Sequence, residues 1–303
     1  MHPTHAPHAS RKPLRCLAAV ALSVATLGLT PAHADTGKLL LTGGVSTVDG
    51  AAGGGLSPWA VIGGPGAEGQ TGAAAYLSRA VTRDYGLTAA GVAIGLNDRV
   101  ELSFGRQDFN TRATGTALGL PGLHLKQDVL GAKWRVAGDA IVDSDTWMPQ
   151  IAVGVQHKRL QSSGLDSTLA ALGADRSGTD VYVSATKLFL AQGVLVNGTL
   201  RATRANQGGL LGHGARLGGA DDGYELMPEL SVAWLLRKDL AVGVEYRAMP
   251  DKLQRAGAAA GLGNGLRADD WMDLFVAWAP SKHVSLTAAW VNLGRIVPVT
   301  TAG

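Results

Sequence analysis

Eight ionisable residues stand where a chain this rich in alanine, valine and leucine should carry no charge: Glu101, Lys133, Arg135, Arg201, Glu225, Glu229, Glu245 and Arg247. Each sits between apolar or aromatic neighbours. Carboxylates and cations that face one another in an enclosed space have two uses. They can neutralise each other in a hydrogen-bonded, salt-bridged filling, or they can line a polar passage whose rings of charge select ions or small solutes. Both signs are present, which favours neither cations nor anions.

Other reactive residue types are less well arranged. Asp143-Ser144-Asp145, Asp221-Asp222 and Asp269-Asp270 place paired carboxylates at element ends. Calcium asks for six to eight oxygens from a defined loop. These pairs therefore read as solvated turns, with a divalent ion bridging to lipopolysaccharide as the alternative. His124, His157, His213 and His283 are too dispersed for a metal-ligand set. Ser281-Lys282-His283 puts a hydroxyl beside an imidazole, but adjacent turn residues diverge and no third group orients the base. Gly64-Pro65-Gly66-Ala67-Glu68-Gly69 fits a dinucleotide fingerprint without the helix that must follow it. Asn197-Gly198-Thr199 fits a glycosylation sequon, but inside a strand rather than on a loop. The expectation is no catalytic residue, no cofactor and no metal.

The elements that position the eight charges have period two. Residues 193–206, GVLVNGTLRATRAN, put Val194, Val196, Leu200 and Ala202 on one face and Asn197, Thr199 and Arg201 on the other. The same alternation predicts eleven strands: 72–81, 84–96, 99–109, 123–137, 146–159, 179–190, 193–204, 223–236, 239–248, 269–279 and 283–293. These are long for soluble strands, and a tilted strand crossing a bilayer needs roughly ten residues. Short turns at Asn97-Asp98, Ala191-Gln192, Arg237-Lys238 and Pro280–Lys282 alternate with long segments near 110–122, 160–178, 205–222 and 249–268. That is the stringing of an outer-membrane barrel, with turns at the periplasmic end and loops outside.

Aromatic residues collect at both ends of these strands. Trp134, Trp147, Phe189, Trp234 and Trp278 fall near the periplasmic end, and Tyr85, Tyr182, Tyr224, Tyr246, Trp271 and Trp290 near the external end. Two such bands are expected at membrane interfaces. An Arg or Lys on the lipid face costs about 2–4 kcal/mol at the midplane, so the eight charges are expected to face the lumen.

The N-terminus carries an export signal. Arg11, Lys12 and Arg15 precede an apolar run over 16–30, and Ala32-His33-Ala34 is a cleavage site, so residues 1–34 are expected to be removed. Lys and Arg number 27 against 24 Asp and Glu, and those three basic residues account for the whole excess. The mature chain is neutral, which gives no case for a nucleic-acid partner. Cys16, the single cysteine, leaves with the signal, so no disulfide framework is available. Residues 35–71 are Gly-rich and poorly alternating, either a plug or an additional strand, and 72–303 are the transmembrane barrel.

The stretches KLLLTGGVSTVDGAAGGGLSPWAVIGG (38–64), GTDVYVSATKLFLAQGVLVNGTLRATRANQGGLLG (178–212) and DDWMDLFVAWAPSKHVSLTAAWVNLG (269–294) resemble a proteobacterial family, domain of unknown function 3034. The resemblance covers essentially the whole mature chain. It implies an outer-membrane-type barrel and supplies no functional residues to carry over. Family members continue past VNLG into a last strand ending in an aromatic residue, whereas this sequence reads VPVTTAG. An all-β, antiparallel up-and-down barrel of about twelve strands is expected, with the closing C-terminal strand absent.

The expected role is that of a filled structural barrel or a narrow pore for small solutes. An outer-membrane enzyme acting on lipid and a soluble exported β-sheet protein that binds a ligand are the alternatives. The expected partners are outer-membrane lipid and the export and barrel-assembly machineries.

Overall fold

A strand with two unlike faces needs two unlike surroundings, and the fold supplies them. The computed structural model describes residues 18–23, 38, 40–82, 84–139, 143, 145–220 and 222–294. In chain order the strands are β1 (Ala18–Ser23), β2 (Val45–Ser46), β3 (Ala52–Gly53), β4 (Thr71–Val81), β5 (Gly86–Leu96), β6 (Val100–Asn110), β7 (His124–Ala137), β8 (Gln150–Leu160), β9 (Ser177–Phe189), β10 (Val194–Thr203), β11 (Glu225–Arg237), β12 (Leu240–Arg247), β13 (Trp271–Ser281) and β14 (Val284–Asn292). Three long connections carry short helices, α1 (Arg112–Ala117), α2 (Asp166–Leu172) and α3 (Leu253–Ala259), which the alternation did not foretell. No described helix is long and apolar enough to cross a membrane.

Strands β4 to β14 are the eleven expected ones. Each pairs antiparallel with its chain neighbour, and the sheet curls into a barrel. At the β5–β6 turn Asn97 and Asp98 both hold positive φ, 52° and 50°. That is the primed geometry whose twist matches the strands it joins. The twelfth place is taken by β1, which pairs antiparallel with β14 (Ala18↔Trp290 to Ser23↔Ser285) and with β4 (Val20↔Arg79 to Leu22↔Leu77). β1 lies within the stretch expected to be removed on export. The expected cleavage site at Ala32-His33-Ala34 and the segment 295–303 lie outside the described residues.

The two faces separate as the alternation requires. Val196, Leu200 and Val244 are exposed on the outer surface, while Asn197, Thr199, Arg201 and Glu245 are buried inside. Inward glycines make room for rings directly across the sheet: Tyr76 faces Gly91, Tyr182 faces Gly154 and Phe275 faces Gly243. A Cβ on Gly154 would stand 2.2 Å from the Tyr182 ring.

That packing corrects part of the aromatic assignment. Tyr182 and Trp271 were expected in the external band, yet they are buried in the interior at 3% and 5% exposure. Trp271 opens β13 and Tyr182 lies in the middle of β9, and each is on the face that carries Asp273 or Asp180. Parity, not distance from the strand end, sets the direction of a side chain. Tyr85 also turns away from the outer band, its ring stacked at 5.2 Å on the inward Phe109. Tyr246 is half-buried and donates through its hydroxyl to Asp270. Trp134, Trp147, Phe189, Tyr224, Trp234, Trp278 and Trp290 are exposed.

The Gly-rich N-terminal stretch is a plug. Residues 45–53 form the small β2–β3 hairpin inside the barrel, and Trp59, Ala60, Val61 and Ile62 are buried after it. Leu40 and Leu41, expected as part of a possible extra strand, lie in a turn.

Candidate functional site

The interior contains three layers of polar side chains, and the plug is bound by each. In the first layer, Arg201 of β10 reaches Glu229 of β11 at 2.5 Å and Asp180 of β9 at 3.4 Å. Lys158 of β8 bonds Asp180 at 3.2 Å and Asp49 of the plug at 3.1 Å. Arg247 of β12 bonds Glu229 at 3.5 Å and Asp49 at 3.2 Å. Three cations meet three carboxylates, and one of those carboxylates comes from the plug. All six are at most 4% exposed. A buried charge is tolerated only when it is paired and hydrogen-bonded, and Asp49 completes the pairing.

The second layer is a clamp on the plug backbone. Glu101 of β6 accepts from the amides of Ala52 (3.1 Å) and Gly63 (2.7 Å). Lys133 of β7 donates to the carbonyls of Ala52 (2.9 Å) and Val61 (2.7 Å), and to Glu101 at 3.1 Å. One ion pair thereby bonds four backbone groups of the plug, two of them at Ala52 in β3. Neutral side chains extend the clamp. Gln150 donates to the Ala60 carbonyl and Thr186 accepts from the Ala60 amide. Ser184 and Thr199 both donate to the Pro58 carbonyl.

The third layer centres on Glu245 of β12. It accepts from the amides of Leu56 (2.8 Å) and Ser57 (3.4 Å) and from the Ser231 hydroxyl (2.7 Å), and Ser231 in turn accepts from the Trp59 indole. Gly54 permits this approach, since a Cβ there would lie 2.2 Å from the Glu245 carboxylate.

The other two expected charges sit at the ends of the barrel. Arg135 bonds Asp98 and Asp139 near the short turns. Glu225 bonds Lys252 beside the long loops. The eight expected inward residues thus divide among five places: Arg201, Glu229 and Arg247 in one cluster, Glu101 with Lys133 in a second, and Glu245, Arg135 and Glu225 each apart. Lys158, Gln156 and Asp180 belong to the charge cluster and were not singled out from the sequence. Alternation does carry them, because Val153, Val155, Val181 and Val183 mark the opposite face. Asp49 lies outside every barrel strand, so no periodicity marks it.

A loop covers the end of the barrel that carries the long connections. The Gly208 carbonyl accepts from Gln127 and Lys158, and His213 is fully buried. Burial pushes the His213 imidazole down to about 4. Above it Arg204 and Arg216 each bond both Asp175 and Asp222, at 2.8–3.0 Å.

The remaining sequence candidates have local roles. Asp143 and Asp145 lie in a turn, Asp222 holds the two arginines, and Asp270 accepts from Met249 and Tyr246. Ser144 and Asp221 lie outside the described residues. His124 meets Asp108, and His157 meets Thr179. Ser281 and His283 meet through the His283 amide, which donates to the serine hydroxyl at 3.2 Å. The run Gly64–Gly69 leads into β4, a strand. Among the described residues no group of three His, Cys, Asp or Glu is placed to hold a metal.

Two cavities, of about 120 and 60 Å³, separate the plug from the inner faces of β4 and β14. Asp273 Oδ1 and the Thr287 hydroxyl, which borders the smaller one, have no hydrogen-bond partner among the described residues.

The family model for a protein of unknown function (DUF3034) matches residues 42–302, and the chain belongs to that family. The match takes in the plug as well as the barrel strands. No curated protein matches the chain.

Proposed function

We propose that this member of the DUF3034 family is an outer-membrane β-barrel closed to solutes in its resting state, a filled structural barrel rather than an open pore. The observation that carries this reading is the plug. Between Val48 and Gly64 its backbone is held by side chains from β4, β6, β7, β8, β9 and β12, and its one buried carboxylate balances the interior charge cluster. On this reading the plug, and not a ring of charges around an open passage, occupies the lumen.

The location rests on the outer surface. Apolar side chains such as Val92, Leu130, Val183, Leu230 and Leu274 run around the barrel, with exposed tryptophans near both strand ends. Monomeric soluble proteins rarely expose apolar patches beyond a few hundred Å², and lipid is the solvent that suits such a belt. The chain is taken to reach the membrane by export with loss of residues 1–34, followed by barrel assembly.

Planar-bilayer recordings test the reading. The intact protein should give no conductance steps, and a variant lacking residues 42–64 should give ohmic ones. Steps of equal size from both proteins would defeat the filled-barrel reading. Recovery of the native protein in the soluble periplasm would defeat the location.

A further inference from the structure

We infer that Glu245 and Asp273 hold one divalent cation of the calcium class against the plug, with the Thr287 hydroxyl as a further ligand. The inference departs from the expectation that the chain binds no metal. It rests on the seat of the plug and not on where the protein is located.

The charges of the interior do not balance without such an ion. Six carboxylates are buried among the described residues: Asp49, Glu101, Asp180, Glu229, Glu245 and Asp273. Lys158, Arg201 and Arg247 pair with Asp49, Asp180 and Glu229, and Lys133 pairs with Glu101. The other buried cations lie at the barrel ends with partners of their own: Arg135 with Asp139, Lys187 with the Asp143 and Met148 carbonyls, and Lys252 with Glu225. Glu245 and Asp273 remain, with no ion pair to a described side chain. They stand directly opposite each other across β12 and β13, where like charges repel. A buried charge persists only when it is paired. Two uncompensated carboxylates in one place match one divalent cation.

The geometry gives that cation a place. A Cβ on Gly55 of the plug would stand 3.2 Å from Glu245 Oε2 and 3.7 Å from Asp273 Oδ2. Both carboxylates therefore border the same small space, which the missing side chain of Gly55 leaves open. The cavity of about 60 Å³ beside it is bordered by Asp273, Thr287, Gly54 and Gly55, room for an ion with a few waters. Thr287 is 5% exposed and Asp273 9%, and the Thr287 hydroxyl and Asp273 Oδ1 have no hydrogen-bond partner among the described residues. Two carboxylates, a hydroxyl and nearby plug backbone make an all-oxygen set, the chemistry of a hard cation. Calcium accepts irregular sets of six to eight oxygens, whereas magnesium demands a near-ideal octahedron. An asymmetric site between a wall and a glycine-rich segment suits calcium. The ion would tie β13 and β14 to the plug.

Metal content and terbium luminescence test this. Protein extracted folded from membranes and dialysed against metal-free buffer should carry one calcium ion per chain by elemental analysis. Asp273→Asn, which keeps the size of the side chain, should carry none. Protein unfolded with EDTA and refolded in detergent with terbium alone should give emission sensitised by tryptophan, and calcium should displace the terbium where potassium does not. The Trp59 indole reaches Glu245 through the Ser231 hydroxyl, so Trp59→Phe should cut the emission without changing the number of ions bound. Asp273→Asn and Glu245→Gln should each weaken terbium binding by at least about tenfold. Thr287→Val should weaken it as well, and Asp145→Asn, in an exposed turn, should leave it unchanged. Every variant is first checked for the heat-dependent gel shift of a folded barrel. Folded Asp273→Asn that binds terbium as tightly as the native protein overturns the inference. Folded native protein that holds neither calcium nor terbium also overturns it, and assigns the neutralisation of the pair to protons.

Discussion

Glu101 and Lys133 are worth most as a pair. Each is at most 2% exposed, and together they hold Ala52, Val61 and Gly63 of the plug. Removing one partner leaves the other charge buried and uncompensated, which typically costs 3–5 kcal/mol. Lys133→Met should therefore lower stability by about 3–5 kcal/mol. Glu101→Gln combined with Lys133→Met should recover part of that loss, because no bare charge remains. Urea unfolding in lipid vesicles measures both. A double variant no more stable than Lys133→Met would show that the pair's value lies in its backbone hydrogen bonds and not in mutual neutralisation.

At the scale of elements, the plug and the loop at 205–214 owe their order to the barrel wall and not to their own periodicity. The loop at 205–214 is sensitive to acid through His213. Its imidazole is neutral when buried and titrates at about 4, against about 6.5 for a free histidine. Asp180, Lys158 and Arg204 lie within electrostatic reach of it. Between these two values the opened loop binds a proton that the closed loop does not. Stability is thus full above about 6.5 and falls as pH drops toward 4. Hydrogen-exchange protection of residues 205–214 should decline across that window. His213→Gln should remove the decline, and a decline of the same size in the variant would assign it to other groups.

For the whole molecule, the question is what solvent each face meets. The seven tryptophans divide cleanly: Trp134, Trp147, Trp234, Trp278 and Trp290 are exposed, while Trp59 and Trp271 are buried. In vesicles with brominated acyl chains, single-tryptophan variants keeping Trp134, Trp234, Trp278 or Trp290 should be quenched strongly, and those keeping Trp59 or Trp271 weakly. Equal quenching of all six would be incompatible with a lipid-facing belt around a filled interior.

How far the sequence determines this molecule depends on the range of the physics. Alternation is local, since each residue's direction follows from its neighbours' backbone, and so the eleven strands, their faces and the Asn97-Asp98 turn could be read directly. The inward direction of Arg201 and Glu245 followed from the same rule. Tyr182 and Trp271 obey that rule too, and were misplaced only where position along the strand was weighed instead. The plug is different. Its Gly-rich sequence has no period, and its partners lie far away in the chain, as Asp49 and Arg247 show across 198 residues. Only the closed barrel brings those side chains around one segment. Tertiary structure therefore decided that the interior is filled, because burying these charges requires pairing that no single stretch of sequence contains.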